Sequence, residues 1–204
     1  MIIGTAGFTA MLCVQALADQ HITPERGEIL VTGASGGVGS VAVTLLNKLG
    51  YRVAAVTGRP EQNGDLLRSL GAQRIIERAE LAQPAKPLES TRWAGAVDTV
   101  GSQILAKVLA QTEYDGAVAA CGLAGGMDLP TTVMPFILRN VKLIGVDSVY
   151  CPYEKRVAAW QKVAELLPES YYAAASNEIA LEAVPEAAAQ IIRGEITGRT
   201  LVKL

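Results

Sequence analysis

The chain has 204 residues, half of them apolar, which is enough for one substantial α/β domain with a buried core and slightly more. Its net charge of −2, with both signs mixed along the sequence, provides no basic face for nucleic acid and no acidic tail. No apolar stretch reaches membrane-spanning length and no signal region is visible, so we expect no membrane partner either.

The cysteine and histidine content indicates free cysteine thiols and no metal site. Cys13, Cys121 and Cys151 are odd in number and widely spaced, and His21 has no partner at the spacing of metal ligands. This pattern predicts a reduced, cytoplasmic protein that binds no zinc, with the thiols and His21 as packing or surface residues.

Apolar, β-rich runs alternate with helical patterns along most of the chain. This alternation predicts βαβ units and an α/β fold with a Rossmann-type, doubly wound parallel sheet of six strands. The predicted strands are residues 29–32, 52–56, 74–76, 96–99, 117–120 and 142–145. The predicted helices are residues 8–20, 38–49, 60–70, 103–109 and 154–167. Residues 79–92 contain two prolines and are predicted to form a loop with at most a short helix.

The end of the chain differs from the rest. Residues 181–192 have helical spacing, Gly194 follows as a stop, and residues 200–204 are typical of a short strand of another sheet. We therefore divide the chain into a cofactor-binding domain, residues 1–175, and a C-terminal tail, residues 176–204.

A glycine-rich octet, Thr32 to Gly39, lies between the first predicted strand and the helix that follows it. A strand, a tight glycine turn and a helix together place a dinucleotide pyrophosphate on the N–H groups of the helix N-terminus. The predicted contacts are Ser35, Gly36, Gly37, Val38 and Gly39. A P-loop would require lysine after the last glycine, whereas Ser40 stands there, so that reading is excluded.

The end of the second strand indicates which dinucleotide is bound. NAD-selective folds place an acidic residue there for the ribose hydroxyls, but this strand ends Val56-Thr57-Gly58-Arg59. Arg59 offers a cationic fork and Thr57 a hydroxyl to the extra phosphate of NADPH, and Arg78 adds a second cation. We therefore predict NADPH as the cofactor; the alternative is that Arg59 is a solvated loop arginine.

The carboxyl ends of the fourth and fifth strands carry small residues. Ligands of open α/β sheets lie along this edge, so Val100, Gly101, Cys121, Gly122 and Leu123 are predicted to approach the ribose and nicotinamide. The alternative is that the two glycines only form turns. Asp98, inside a strand, is interpreted as structural.

The octet also satisfies the Thr-Gly-x-x-x-Gly-x-Gly turn of short-chain dehydrogenases. Those enzymes pair a tyrosine with a lysine four residues later, which lowers the pKa of the phenol for proton transfer. None of the six tyrosines has such a lysine, so the sequence lacks that family's catalytic pair.

Nearly the whole chain resembles the zinc-independent medium-chain dehydrogenase/reductases of the quinone-oxidoreductase-like branch. Residues 4–10 resemble the start of that family's cofactor domain, and residues 34–39 resemble its pyrophosphate loop. Residues 135–141 and 143–149 resemble the acryloyl-CoA reductase subgroup, with Asn140 as a departure from an expected glycine. Predicted cofactor contacts within these motifs also include Thr9, Asp147 and Ser148.

The resemblance implies NADPH-dependent reduction of a carbon–carbon double bond conjugated to a thioester, as in acryloyl-CoA. The catalytic residues stay unknown, because the family places a GroES-like substrate domain before the cofactor domain. We expect a truncated chain or gene fragment whose tail completes that domain.

The alternatives are a quinone reductase and a stand-alone NADPH-binding module without catalysis. The small-molecule partner is therefore an enoyl-CoA or a quinone. The resemblance further implies a homodimer formed through residues 142–146.

Overall fold

The computed structural model describes residues 2–204 and contains a six-stranded parallel sheet. Its strands, in chain order, are β1 (Glu28–Val31), β2 (Arg52–Thr57), β3 (Arg74–Glu77), β4 (Trp93–Asp98), β5 (Thr112–Ala120) and β6 (Lys142–Gly145). Neighbouring strands lie in the order β3-β2-β1-β4-β5-β6. The order reverses between β1 and β4, and open α/β sheets bind their ligands outside the carboxyl ends of the strands at such a point.

Helices cover both faces of this sheet. In chain order, the helices of the described residues are α1 (Gly4–Asp19), α2 (Gly37–Lys48), α3 (Pro60–Ser69), α4 (Ser102–Gln111), α5 (Met134–Arg139), α6 (Tyr153–Leu166), α7 (Glu169–Ala174) and α8 (Val184–Ile192), of which α8 belongs to the tail. Short 3₁₀ turns occur at Pro24–Arg26, Arg78–Glu80 and Leu181–Ala183. Within residues 2–204, no helix combines the length and apolar character needed to cross a membrane.

Two apolar layers form because successive strand residues point to opposite faces. In β1, Ile29 and Val31 pack with α1, α2 and α6, while Leu30 packs with α4 on the other side. All three are fully buried. Burial on both faces explains why the strands are almost continuously apolar instead of alternating between apolar and polar.

The tail forms a separate sheet in which β7 (Ser176–Ala180) pairs in parallel with β8 (Arg199–Lys203). Tyr171, just before β7, connects the tail to the main domain, since its buried hydroxyl lies 2.9 Å from Ser40 Oγ on α2. The segment that leads into the tail is therefore bound to α2, the helix that begins within the glycine octet.

The predicted six-stranded α/β fold is confirmed, with differences at particular elements. The structure begins β5 at Thr112, whereas the sequence predicted a start at residue 117, because Asp115 and Gly116 interrupt the apolar pattern. Asp115 has a positive φ of 61° inside the strand. The sequence analysis missed α5, α7 and β7; β7 has the polar sequence SNEIA and pairs with β8 as a strand.

Candidate functional site

A cleft of about 690 Å³ lies at the carboxyl ends of the central strands. It is bounded by the glycine turn, the end of β2, the loop between β4 and α4, and part of the tail. Six of the residues predicted as cofactor contacts line it: Ser35, Gly36, Thr57, Arg59, Arg78 and Val100. The fold thus brings together residues from four separate strand ends at the sheet's switch point.

The glycine turn at the base of the cleft can hold an anion. The Gly36 N–H donates to Gly33 O at 2.9 Å, and α2 starts directly afterwards at Gly37. A Cβ at Gly39 would lie 2.3 Å from Gly33 O, so only glycine lets the helix approach the strand this closely. The N–H groups of the first turn of α2 have no partner within the helix and attract negative charge.

Thr57, at the end of β2, is buried and surrounded by polar partners. Its hydroxyl oxygen accepts hydrogen bonds from the Arg59 N–H at 3.3 Å and from Asn63 Nδ2 at 3.2 Å. Ser35 Oγ lies 3.3 Å away on the glycine turn. Thr57 therefore joins the glycine turn to the start of α3, and the more exposed Ser35 is the hydroxyl that faces the cleft.

The two predicted arginines have different surroundings. Both terminal nitrogens of Arg59 donate to the tail, to Glu195 O at 2.5 Å and to Ile196 O at 3.1 Å. The guanidinium of Arg78 lies beside Gly58, where a Cβ would be 2.9 Å from its central carbon. Arg78 is exposed, and within the described part of the chain its side chain forms no ion pair or hydrogen bond.

Asp98 holds the loop between β4 and α4. It is fully buried and accepts hydrogen bonds from Thr32 Oγ1 at 2.7 Å and from the Gly101 N–H at 2.8 Å. Burial raises the pKa of its carboxyl, and the hydrogen bond from Thr32 partly opposes that rise. Asp98 thus connects the ends of β1 and β4, which agrees with its interpretation as structural.

The two glycines at the predicted nicotinamide edge are required by close packing. A Cβ at Gly101, where φ is +75°, would lie 2.8 Å from Gly126 O, and one at Gly122 would lie 2.4 Å from Thr99 O. Cys121, beside them, lies against the buried Cys13 of α1. The interaction with Cys121, together with burial, raises the pKa of the Cys13 thiol, and the interaction with Cys13 lowers the pKa of Cys121, whose Sγ lies 3.5 Å from Asp98 O.

Ten of the sixteen predicted contacts are absent from the lining of this cleft. Seven of them neighbour lining residues in the chain: Gly37, Val38, Gly39, Gly101, Cys121, Gly122 and Leu123. The other three lie apart from these. Thr9 Oγ1 donates to Thr5 O at 2.8 Å within α1, and Asp147 accepts from the Val149 N–H at 2.7 Å. Ser148 lines a different cavity of about 560 Å³, next to Phe8 and Trp160. Their predicted role as cofactor contacts therefore has no support from the geometry of the cleft.

The tail contributes residues to the cleft that the sequence pattern did not predict. Residues 193–196 line the cleft, and the guanidinium of Arg199 lies against the glycine turn. A Cβ at Gly37 would be 2.6 Å from the nearer terminal nitrogen of Arg199. The only sequence signal is a basic residue that opens the last apolar strand, and its partner is more than 150 residues away in the chain.

A model of the zinc-binding dehydrogenase family matches residues 37–168. A probable acrylyl-CoA reductase of Escherichia coli is 63% identical over the whole chain, and a putative quinone oxidoreductase of Bacillus subtilis is 47% identical. The crystal structure of a Salmonella enterica oxidoreductase in complex with NADP superposes with a TM-score of 0.96 at 62% identity. The chain covers 62% of the length of each of these three proteins, and each match spans all of this chain.

The name of the family implies zinc, which proteins bind with clusters of His, Cys, Asp or Glu side chains. Among residues 2–204, no group of three or more His, Cys, Asp or Glu side chains could hold a metal ion. The part of the chain described here therefore does not fit a zinc site.

Thr32→Val tests the connection between β1 and β4. The change removes the donor to Asp98 and should lower the free energy of unfolding by about 1–3 kcal/mol at neutral pH. The substitution should also raise the pKa of Asp98 further. The difference in unfolding free energy between wild type and variant should therefore become smaller as the pH falls through that pKa, since the protonated carboxyl needs less stabilisation. Urea unfolding across pH measures both effects.

Thr44→Val is the matched control, because Thr44 is also buried but donates only to Ser40 O within its own helix. Thr44→Val should lower the free energy of unfolding by a smaller amount, and this loss should not depend on pH over the same range. Equal costs for the two variants, or a pH-independent deficit in Thr32→Val, would contradict the role of Asp98.

Proposed function

The chain belongs to the zinc-binding dehydrogenase family, and we propose that it is the NADPH-binding portion of an oxidoreductase that reduces an activated carbon–carbon double bond. The observation that carries this proposal is the cleft, whose lining includes Gly36 at the N-cap of α2 and Arg78. The guanidinium of Arg199 lies next to this lining, against Gly37. A dinucleotide with a pyrophosphate and an additional phosphate has the charge distribution that these groups would stabilise.

The pyrophosphate fits the base of the cleft. The free N–H groups of the first turn of α2 supply donors, and the guanidinium of Arg199 supplies a positive charge on the same side of the turn. Gly36 and Gly37 have no side chain to block the approach. These groups would bind either NADH or NADPH, because both cofactors contain the pyrophosphate.

The preference for NADPH comes from the end of β2 and the turn after β3. β2 ends in Val56-Thr57-Gly58-Arg59, without a carboxylate at the position that NAD-selective folds use. The guanidinium of Arg78 lies beside Gly58, with its donors free among residues 2–204. Relatives from Salmonella enterica and Escherichia coli were crystallised with NADP and NADPH, and the Bacillus subtilis relative with NAD. We assign the contact with the 2′-phosphate to Arg78.

Replacing Arg78 by glutamine should weaken NADPH binding about 10- to 100-fold, the loss expected when a charged donor to a phosphate is removed. NADH binding should change little, because NADH lacks the 2′-phosphate. Calorimetric titration of both dinucleotides measures the ratio. Arg68→Gln is the control, since this exposed arginine pairs with Asp65 on α3 outside the cleft lining; equal losses for NADPH and NADH would remove Arg78 from the phosphate site.

The activity of the whole protein is inferred from its relatives. NADPH supplies a hydride to the β-carbon of the substrate, and the enolate that develops needs hydrogen-bond donors at its oxygen. Within the described part of the chain, no side chain was identified for that task, in agreement with a chain that spans 62% of its relatives' length. A thioester such as acrylyl-CoA is the proposed substrate, and a quinone is the second candidate because the Bacillus subtilis relative is named as a quinone oxidoreductase.

Joining the chain in frame to the part of the Escherichia coli relative that it does not cover tests this activity. We expect the joined protein to oxidise NADPH with acrylyl-CoA, and the 204-residue chain alone to bind NADPH without turnover. The absorbance of NADPH reports the reaction. Faster turnover with a naphthoquinone would favour the quinone reductase, and NADPH binding without turnover in either protein would favour a non-catalytic binding module.

Two further points concern metal ligands and compartment. The proposed reaction needs hydrogen-bond donors at the enolate oxygen, and residues 2–204 contribute no cluster of metal ligands to it. Cys13, Cys121 and Cys151 are free thiols, which supports a reducing compartment such as the cytoplasm.

We assign the outer edge of β6 to a homodimer contact. This strand ends the sheet and has no neighbour on its outer side among the described residues. Exposed apolar side chains flank it, with Ile137 at 71% and Leu138 at 54% exposure on α5, and Tyr150 at 89% after the strand. An uncovered strand edge beside apolar side chains favours pairing with a second copy.

Ile137→Glu should dissociate this dimer, because a carboxylate in the apolar contact would be desolvated without a partner. Sedimentation velocity should change from twice the mass of the 21.4 kDa chain to the monomer mass. Ile191→Glu places the same change at an exposed apolar residue of α8 and should leave the dimer intact. A wild-type monomer at micromolar concentration would contradict the assignment.

A further inference from the structure

Arg59 is the most extensively bonded side chain of the cleft. A guanidinium carries five N–H donors. One terminal nitrogen of Arg59 contacts Glu195 O and Gln62 Oε1, and the other contacts Ile196 O and Thr197 Oγ1. Only the Nε–H is left for a ligand. A bidentate contact with a phosphate would therefore require Arg59 to give up its bonds to the tail.

We call residues 195–199 the docking segment. It contains the three tail residues that accept these bonds and ends at the first residue of β8. It is fixed at three further points. The Gly198 N–H donates to Ser35 O at 2.8 Å, the Arg199 N–H donates to Ala175 O at 2.7 Å, and Arg199 Nε donates to Ile2 O at 2.9 Å. The docking segment thus lies directly on the glycine turn.

Asn63 and Thr197 extend the contact into the buried end of β2. Thr197 Oγ1 donates to Asn63 Oδ1 at 2.8 Å, and Asn63 Nδ2 donates to Thr57 Oγ1 at 3.2 Å. Asn63 is only 2% exposed, so its amide has little access to water. This amide therefore fixes Thr197, whose hydroxyl oxygen in turn accepts a hydrogen bond from Arg59 at 3.3 Å.

The conformation of the docking segment determines where Arg199 lies. Gly198 has a φ of +69°, and a Cβ there would be 2.3 Å from Ala175 O, so the chain turns sharply just before Arg199. This turn directs the guanidinium to Gly37 at the start of α2. Movement of the segment away from Ser35 would remove that charge from the N-terminus of the helix.

We propose that Arg59 is a positioning residue that holds the docking segment on the glycine turn and thereby keeps Arg199 at the pyrophosphate position. The proposal rests on the dinucleotide-binding function proposed above. It gives Arg59 and Arg78 different roles, because Arg78 contacts the 2′-phosphate while Arg59 acts through the tail. Arg59 then contributes to the affinity for NADH and NADPH alike, since both contain a pyrophosphate.

Arg59→Gln in the 204-residue chain separates these roles. The affinities for NADPH and NADH should both fall about 5- to 20-fold, the range expected for loss of a charged contact that acts indirectly, and their ratio should stay within about twofold of the wild type. Amide hydrogen exchange of Gly198 and Arg199 should accelerate in the absence of any cofactor. Arg59→Lys should restore part of both properties, since an ammonium can still donate to the tail carbonyls.

Arg68→Gln on the same helix is the matched control and should change neither affinity nor exchange. A loss confined to NADPH would overturn the proposal and make Arg59 a direct ligand of the 2′-phosphate. Unchanged exchange at Gly198 and Arg199 would also overturn it. If the wild-type chain binds neither dinucleotide, the proposed function fails and so does the link to the pyrophosphate, whereas accelerated exchange in Arg59→Gln would still show that Arg59 docks the segment.

Discussion

The close approach of α2 to β1 at the glycine turn is the constraint on which the cleft depends. With a Cβ at Gly39 only 2.3 Å from Gly33 O, any larger residue would push the helix away from the strand. The position of α2 determines where the N–H groups of its N-terminus and Ser35 lie. It also determines the surface that the tail contacts. Both the anion site and the attachment of the tail therefore follow from one backbone contact.

Polar groups around this contact connect separate strand ends. Asp98 joins β4 to Thr32 after β1, and Thr57 joins β2 to Ser35 and Asn63. Buried polar groups of this kind are costly when a partner is lost, so each pair favours a single arrangement of the loops. The cleft is consequently built from residues distant in sequence but tied at the ends of adjacent strands.

The tail lines part of the cleft in addition to forming its own two-stranded sheet. Residues 193–196 line the cavity, and Arg199 adds positive charge at the start of α2. The docking segment therefore connects the lining of the cleft with the β7–β8 sheet.

The sequence by itself determined the parallel α/β sheet and the glycine turn, because strand alternation, helix periodicity and glycine spacing are local properties of the chain. It also determined that no acidic residue stands at the end of β2, in the stretch from Val56 to Arg59, which favours NADPH. Only the tertiary structure decided that Arg59 faces the tail, that Arg199 reaches Gly37, and that Thr9 and Ser148 lie outside the lining of the cleft. These outcomes depend on contacts between residues far apart in sequence, whose partners no local pattern specifies.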